Sequence, residues 1–136
     1  MKKQTLEYVL NHPGIWRGSD CAQEPVPAIP TGFSELDRLL PGAGWPSGAL
    51  TEILVERPGV GELKLLIPAI SRLTGNGHWL MMVAPPHLPY APALCAHGIQ
   101  LERMMLIRPT SDGDSLWACE QALRAACCRV VLLWLE

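Results

Sequence analysis

Two glycines and a carboxylate stand where a phosphate-gripping loop would carry its cation. Leu50 to Leu66 reads LTEILVERPGVGELKLL. An apolar run is followed by a Gly-containing loop and then an amphipathic stretch, which is how strand, loop and helix are strung together to hold phosphate. Such a loop follows the pattern G-x-x-x-x-G-K-S/T. Its glycines let backbone N–H groups turn toward the anion, its Lys reaches the terminal phosphate and its hydroxyl holds Mg²⁺. Here Gly59 and Gly61 are kept, but Glu62 takes the place of the Lys and Leu63 that of the hydroxyl. A carboxylate at a helix N-terminus complements the helix dipole by itself, and it repels a phosphate. These residues predict a nucleotide-binding architecture without nucleotide chemistry, in a protein that acts by binding other proteins.

Other residue types offer little chemistry. His12, His78, His87 and His97 have no metal-ligand spacing and no acidic partner nearby in sequence. Ser111-Asp112 reads as a helix cap, since no G-x-S-x-G elbow exists, and Ser47 and Ser71 have no paired base. The five cysteines (Cys21, Cys95, Cys119, Cys127 and Cys128) are odd in number and include no C-x-x-C. They suit neither a disulfide scaffold nor a zinc site, and read as small packed hydrophobes in a reducing cytoplasm. A net charge of -2 with no Lys/Arg run argues against strong nucleic-acid attraction. The N-terminal MKKQTLEYVL is too short and too interrupted for a signal peptide. No apolar run approaches the ~18 residues of a membrane span.

The 136 residues divide into a short N-terminal helix with a Pro-rich arm, 1–30, and one packed α/β unit, 31–136. Pro25, Pro27 and Pro30 favour an extended arm, and Trp16 within it is read as tucked onto the domain. TGFSELDRLL predicts a short helix with Phe33, Leu36, Leu39 and Leu40 on one face, stopped by Pro41-Gly42. A strand is expected over Leu50–Leu54, then a helix over Gly61–Thr74 with Leu63, Leu66, Ile67, Ile70 and Leu73 inward. Further strands are expected at Trp79–Val83, Met104–Ile107 and Val130–Trp134, all apolar throughout and therefore covered on both faces. A helix over about Ala91–His97 lies between the first two of these. Another follows Ser111 or Asp112, with Leu116, Cys119, Leu123, Ala126 and Cys127 as its stripe. Alternating strands and helices predict a mostly parallel sheet with helices on both faces and right-handed crossovers.

At this point the chain resembles a family. TGFSELDRLLPGAGWPSGALTEIL is similar to the opening of the RecA-type ATPase core, with its Thr-Gly, its "LD" helix and its Gly-rich turn. The resemblance covers about residues 31–135 and implies a RecA-like P-loop core with a degenerate nucleotide site. Where such enzymes carry a catalytic Glu this chain has Ala84-Pro85-Pro86. Where the Walker B strand ends in a metal-organising Asp it has Trp134. Together with Glu62 and Leu63, these departures imply no ATPase activity and no cofactor.

Within that group the segments GVGELKLLIPAISRLT, VAPPHLPYAPAL and SLWACEQALRAACCRVVLLW look like ImuA-type proteins. That resemblance implies a non-catalytic accessory protein of SOS-induced translesion DNA synthesis. Its partners would be an ImuB-like Y-family protein, a DnaE-type polymerase and RecA, with weak direct DNA binding. ImuA-type proteins continue further, so the chain is expected to be truncated at its C-terminus. The alternative is a SulA-type division inhibitor that binds FtsZ, similar in the pattern of Val130, Val131, Trp134 and Leu135. A third reading is an ATPase with an unconventional loop. Candidate partner contacts are Trp45 on its Gly/Pro loop, Leu88 and Tyr90 in a proline-stiffened loop, and Trp117.

Overall fold

A computed structural model describes residues 27–57 and 59–135. The arm residues before Pro27, with Trp16 and Cys21, lie outside this range. The first element is β1 (Ala28–Ile29), which pairs antiparallel with β2 (Trp45–Pro46), Ile29 opposite Trp45. Helix α1 (Ser34–Leu39) lies between them. Then come α2 (Glu62–Gly75), β3 (Trp79–Val83), α3 (Ala91–Ala96), a 3₁₀ turn at Leu101–Arg103, β4 (Met104–Ile107), α4 (Asp112–Ala125) and β5 (Cys128–Leu133).

The main sheet is parallel, in the order β4-β3-β5. Side chains alternate across a strand, so β3 feeds two cores. Leu80 and Met82 pack with Ile70 of α2, Leu94 of α3 and Ile99 on one face. Met81 and Val83 pack with Ala118, Cys119 and Ala122 of α4 on the other. Helices thus cover both faces, as the apolar runs predict. Of the expected inward positions of α2, Leu63, Leu66, Ile67 and Ile70 belong to the first core, whereas Leu73 is half-buried and lies outside it. Thr74 ties that helix to the next segment: its hydroxyl donates to the Ile70 carbonyl at 3.0 Å and accepts from Gln100 N–H at 3.2 Å.

Several expectations are corrected. No strand forms over Leu50–Leu54. The segment has no regular secondary structure and lies open, with Leu50 94% and Leu54 84% exposed. An apolar run becomes a strand only where a neighbour offers a ladder, and Thr51 and Glu52 would have to enter a core without partners. On α1, Leu36 and Leu40 are half-buried, whereas Phe33 and Leu39 face water. On α4 the buried residues are Ser115, Ala118, Cys119 and Ala122, while Leu116 and Leu123 are exposed. The helix turns its small residues to the sheet because they permit the closest approach. β5 also starts earlier than expected and ends before Trp134.

The segment ahead of α1 is pinned by a polar cluster. Thr31 is fully buried. Its N–H donates to Asp37 Oδ1 at 2.8 Å, and its hydroxyl accepts from Phe33 N–H at 3.0 Å. Gly32 beside it has φ +90°, and a Cβ there would lie 2.5 Å from the Pro68 Cβ of α2. Pro68 sits inside α2, where it removes one helical hydrogen bond. Gly32→Ala combines backbone strain with overpacking and is expected to cost about 2–3 kcal/mol, a fall of roughly 10 °C or more in melting temperature. Gly77→Ala shares the left-handed backbone (φ +84°) but meets nothing within 4 Å, so about 1 kcal/mol is expected. Calorimetric melting of the two variants against wild type checks the difference.

Candidate functional site

The loop before α2 is built around its own carboxylate. Gly59 (φ +83°) and Gly61 (φ +110°) hold left-handed backbone that turns their N–H groups inward. The Gly59 N–H donates to Glu62 Oε1 at 3.1 Å, and the Gly61 N–H donates to Glu62 Oε2 at 3.1 Å. Glu62 is the first residue of α2, and its side chain folds back over the helix start. Its own backbone N–H lowers its carboxyl pKa the most, followed by the amide of Gly59, then those of Gly61 and Val60. Residue types place a carboxylate at this helix start, and in the structure the Gly59 and Gly61 amides donate to it. The structure adds that the anion is supplied by the chain. Leu63, at the expected hydroxyl position, packs against the first core as an apolar anchor.

The loop after β3 lies alongside. A Cβ on Gly59 would come within 3.8 Å of the His87 ring, so the Gly59–Glu62 loop and the Ala84–Pro89 loop are neighbours. Sequence reasoning treated His87 only as an isolated histidine; its nearness to Gly59 depends on tertiary placement and leaves no local signal. Trp134 directly follows β5. It is half-buried, and its N–H donates to the Val83 carbonyl at 3.2 Å. With Ala84, Pro109, Ser111 and Ser115 it lines a cavity of about 200 Å³ at the carboxyl ends of the strands, the end where open α/β sheets bind ligands. Ser111 caps α4: its hydroxyl accepts from Asp114 N–H at 3.2 Å and donates to Asp114 Oδ2 at 2.8 Å. That geometry gives the serine a structural partner and no base.

The candidate partner contacts divide. Leu88 (70%), Tyr90 (72%) and Trp117 (63%) are exposed. Trp45 is half-buried in β2, and its indole Nε1 is buried with no acceptor among the described residues, so it is less a surface anchor than its Gly/Pro loop suggests. Leu88 and Tyr90 lie in the segment joining β3 to α3, and Trp117 lies in the second turn of α4. Sequence reasoning missed Leu116 and Leu123 as surface residues. The signal that would have found them is the small-residue stripe Ser115, Ala118, Cys119 and Ala122 on the opposite side of the same helix. Among the described residues no group of three or more His, Cys, Asp or Glu side chains could hold a metal ion, and no helix is long and apolar enough to cross a membrane.

Glu62→Gln keeps the shape and removes the charge, and is expected to destabilise by a few tenths to about 1 kcal/mol at neutral pH. A carboxyl group whose pKa is depressed by folding stabilises above its unfolded value, about 4.3, and that stabilisation is lost as pH falls through the folded value. The melting-temperature gap between wild type and Glu62→Gln should therefore be open at pH 7, begin to close below about pH 4.3 and be gone in stronger acid. A gap independent of pH would contradict the charge-based account.

No protein-family model matches the chain. It is 35% identical over 74 residues to the cell division inhibitor SulA of Edwardsiella piscicida, covering 54% of this chain and 44% of that protein. It is 25% identical over 139 residues to the RecA protein of Picosynechococcus sp., covering 97% of this chain and 39% of that protein. The RecA protein of Chlorobaculum parvum is 29% identical over 134 residues, covering 96% and 38%. The chain thus spans less than half the length of these curated relatives. Its sequence is similar to SulA over about half of the chain and, more weakly, to RecA over nearly all of it, and its parallel three-stranded sheet flanked by helices is a mixed α/β fold.

Proposed function

We propose that the chain is a RecA-like core that has given up nucleotide chemistry and works as a non-catalytic accessory protein in SOS-induced translesion DNA synthesis, in the manner of ImuA-type proteins. The observation that carries this reading is the seat of Glu62. Its carboxylate occupies the Gly59 and Gly61 amides that a phosphate would need. A triphosphate approaching the loop would have to displace a charge-assisted pair of hydrogen bonds and then sit beside the displaced carboxylate. The apolar Leu63 and the Trp134 side chain at the end of β5 offer nothing to hold Mg²⁺. The relation to RecA over nearly the whole chain supports the architecture.

On this reading the work is done by protein contacts in the cytoplasm. An ImuB-like Y-family protein, a DnaE-type polymerase and RecA are the partners, and Leu88, Tyr90 and Trp117 are the exposed side chains to engage them. Rigid aromatic side chains lose little entropy on binding and dominate such interfaces.

Calorimetry with ATP and Mg²⁺ should give no measurable heat of binding, and pull-down with the polymerase-like partner should retain the chain. Trp117→Ala or Tyr90→Ala should weaken that retention about tenfold or more if either side chain is an anchor. Micromolar, magnesium-dependent ATP binding would overturn the non-nucleotide part of the proposal. A stable complex that neither substitution weakens would overturn the assigned surface.

The similarity to SulA favours a second reading, a division inhibitor acting on FtsZ. Overproduction would then filament cells and block FtsZ assembly in vitro. Normal cell length with normal FtsZ assembly removes it.

A further inference from the structure

The α4–β5 junction holds two adjacent thiols in contact. Cys127 and Cys128 have their Sγ atoms 3.7 Å apart. Neighbouring residues in a regular strand point to opposite faces, so adjacent cysteines there would be held apart. Here the chain leaves α4 through Ala126 in left-handed backbone (φ +52°). Cys127 then lies between helix and strand, belonging to neither, and Cys128 opens β5. That turn brings both sulfurs to one side. Cys127 is exposed and Cys128 half-buried against the α4 core.

We propose that Cys127 and Cys128 form a modification site: a vicinal dithiol that a hydroperoxide converts to a disulfide between neighbouring residues. This stands independently of the accessory role proposed above. The exposed Cys127 sulfur attacks the terminal peroxide oxygen, the O–O bond breaks, and the alkoxide leaves as the alcohol with the thiol proton (as water for hydrogen peroxide), giving a sulfenic acid. The Cys128 sulfur then attacks the Cys127 sulfur and displaces hydroxide, which departs as water with the Cys128 proton. Two thiols and one hydroperoxide become one disulfide, one water and one molecule of the corresponding alcohol, or a second water for hydrogen peroxide.

The surroundings fit this division of labour. Burial, the contact with the Cys127 thiol and repulsion from the Cys127 charge push the Cys128 thiol up to about 11, so Cys128 keeps its proton while the accessible partner reacts first. The site can also absorb the ring. Cys127 lies outside both helix and strand, and the pairing of β5 with β3 is already irregular between Trp79 and Leu80, next to the Cys128–Trp79 rung. The other described thiols lack such a neighbour: Cys95 is exposed and Cys119 is buried in the α4 core.

The flanking residues make the test clean. Trypsin cutting after Arg124 and Arg129 releases Ala125–Arg129, which carries these two cysteines and no others. The reduced full-length chain is treated with one equivalent of hydrogen peroxide, alkylated and digested. This peptide should lose the mass of two hydrogens, resist alkylation and recover both alkylation sites after dithiothreitol. The untreated chain should be retained on a phenylarsine oxide resin, which captures two thiols held side by side, as the Sγ atoms of Cys127 and Cys128 are at 3.7 Å. Cys127→Ser or Cys128→Ser should abolish retention, and Cys95→Ser should leave it intact. The proposal fails if the wild-type peptide stays fully alkylatable while Cys95 oxidises, or if its disulfide links to Cys21 or to a second chain.

Discussion

Strand β3 is the constraint on which the rest depends. It is hydrogen-bonded on both edges, to β4 and β5, and covered on both faces. Leu80, Met82 and Val83 are almost completely buried, and each such side chain contributes about 1.5–3 kcal/mol relative to exposure. The carboxyl end of this strand fixes what lies around it. The Val83 carbonyl accepts from the Trp134 N–H, and the Ala84 N–H donates to the Ile107 carbonyl at 2.9 Å. The three strand ends are therefore held in register where the 200 Å³ cavity opens. The His87 loop, which lies against Gly59, starts from the same point.

Beside that fixed end, the Gly59–Glu62 loop behaves as a filled anion site. Turned-in amides that find no acceptor are costly only when water is excluded, and this loop is largely exposed. Its geometry is therefore not forced by burial. Glu62 holds it by charge: a carboxylate on two amide donors at a helix start is a charge-assisted contact that also complements the helix dipole. A Lys at the same position would point at an incoming phosphate and leave the amides free. Replacing one residue type reverses what the same backbone attracts. Leu63, the next residue, is drawn into the first core.

Part of this was legible in the sequence. β3 was readable because five apolar residues in a row are stable as a strand buried on both faces, whereas β4 forms where expected but as an edge strand with Met105 exposed. The inward face of α2 was readable from Leu63, Leu66, Ile67 and Ile70 at helical spacing. Glu62 was readable as a carboxylate at a helix start; its hydrogen bonds to the Gly59 and Gly61 amides were not. The rest depended on partners that sequence does not display. The Leu50–Leu54 run looks like a strand until one asks which edge it would pair with. The approach of Cys127 to Cys128 depends on the left-handed turn at Ala126, a conformation that alanine rarely announces. Trp45 looked exposed on its Gly/Pro loop, and the pairing of Ile29 with Trp45 draws it inward.

Helix α4 shows why hydrophobicity alone misplaced a face. Ranked by apolarity, Leu116 and Leu123 belong inside. Turning them in would place branched side chains where Ser115, Ala118 and Ala122 now meet the sheet, and overpacking of that kind costs about 1–3 kcal/mol per site. β3 cannot move away to make room, because the first core grips its other face. The rigid strand thus selects side-chain size ahead of side-chain hydrophobicity, and the larger residues are left in water. Two Leu side chains forgo several kcal/mol of burial by that choice. The packing of β3 therefore explains the outward apolar face of α4, and it also sets where that face can meet a partner: on the sheet side away from α2 and α3, next to Trp117 and the α4–β5 junction.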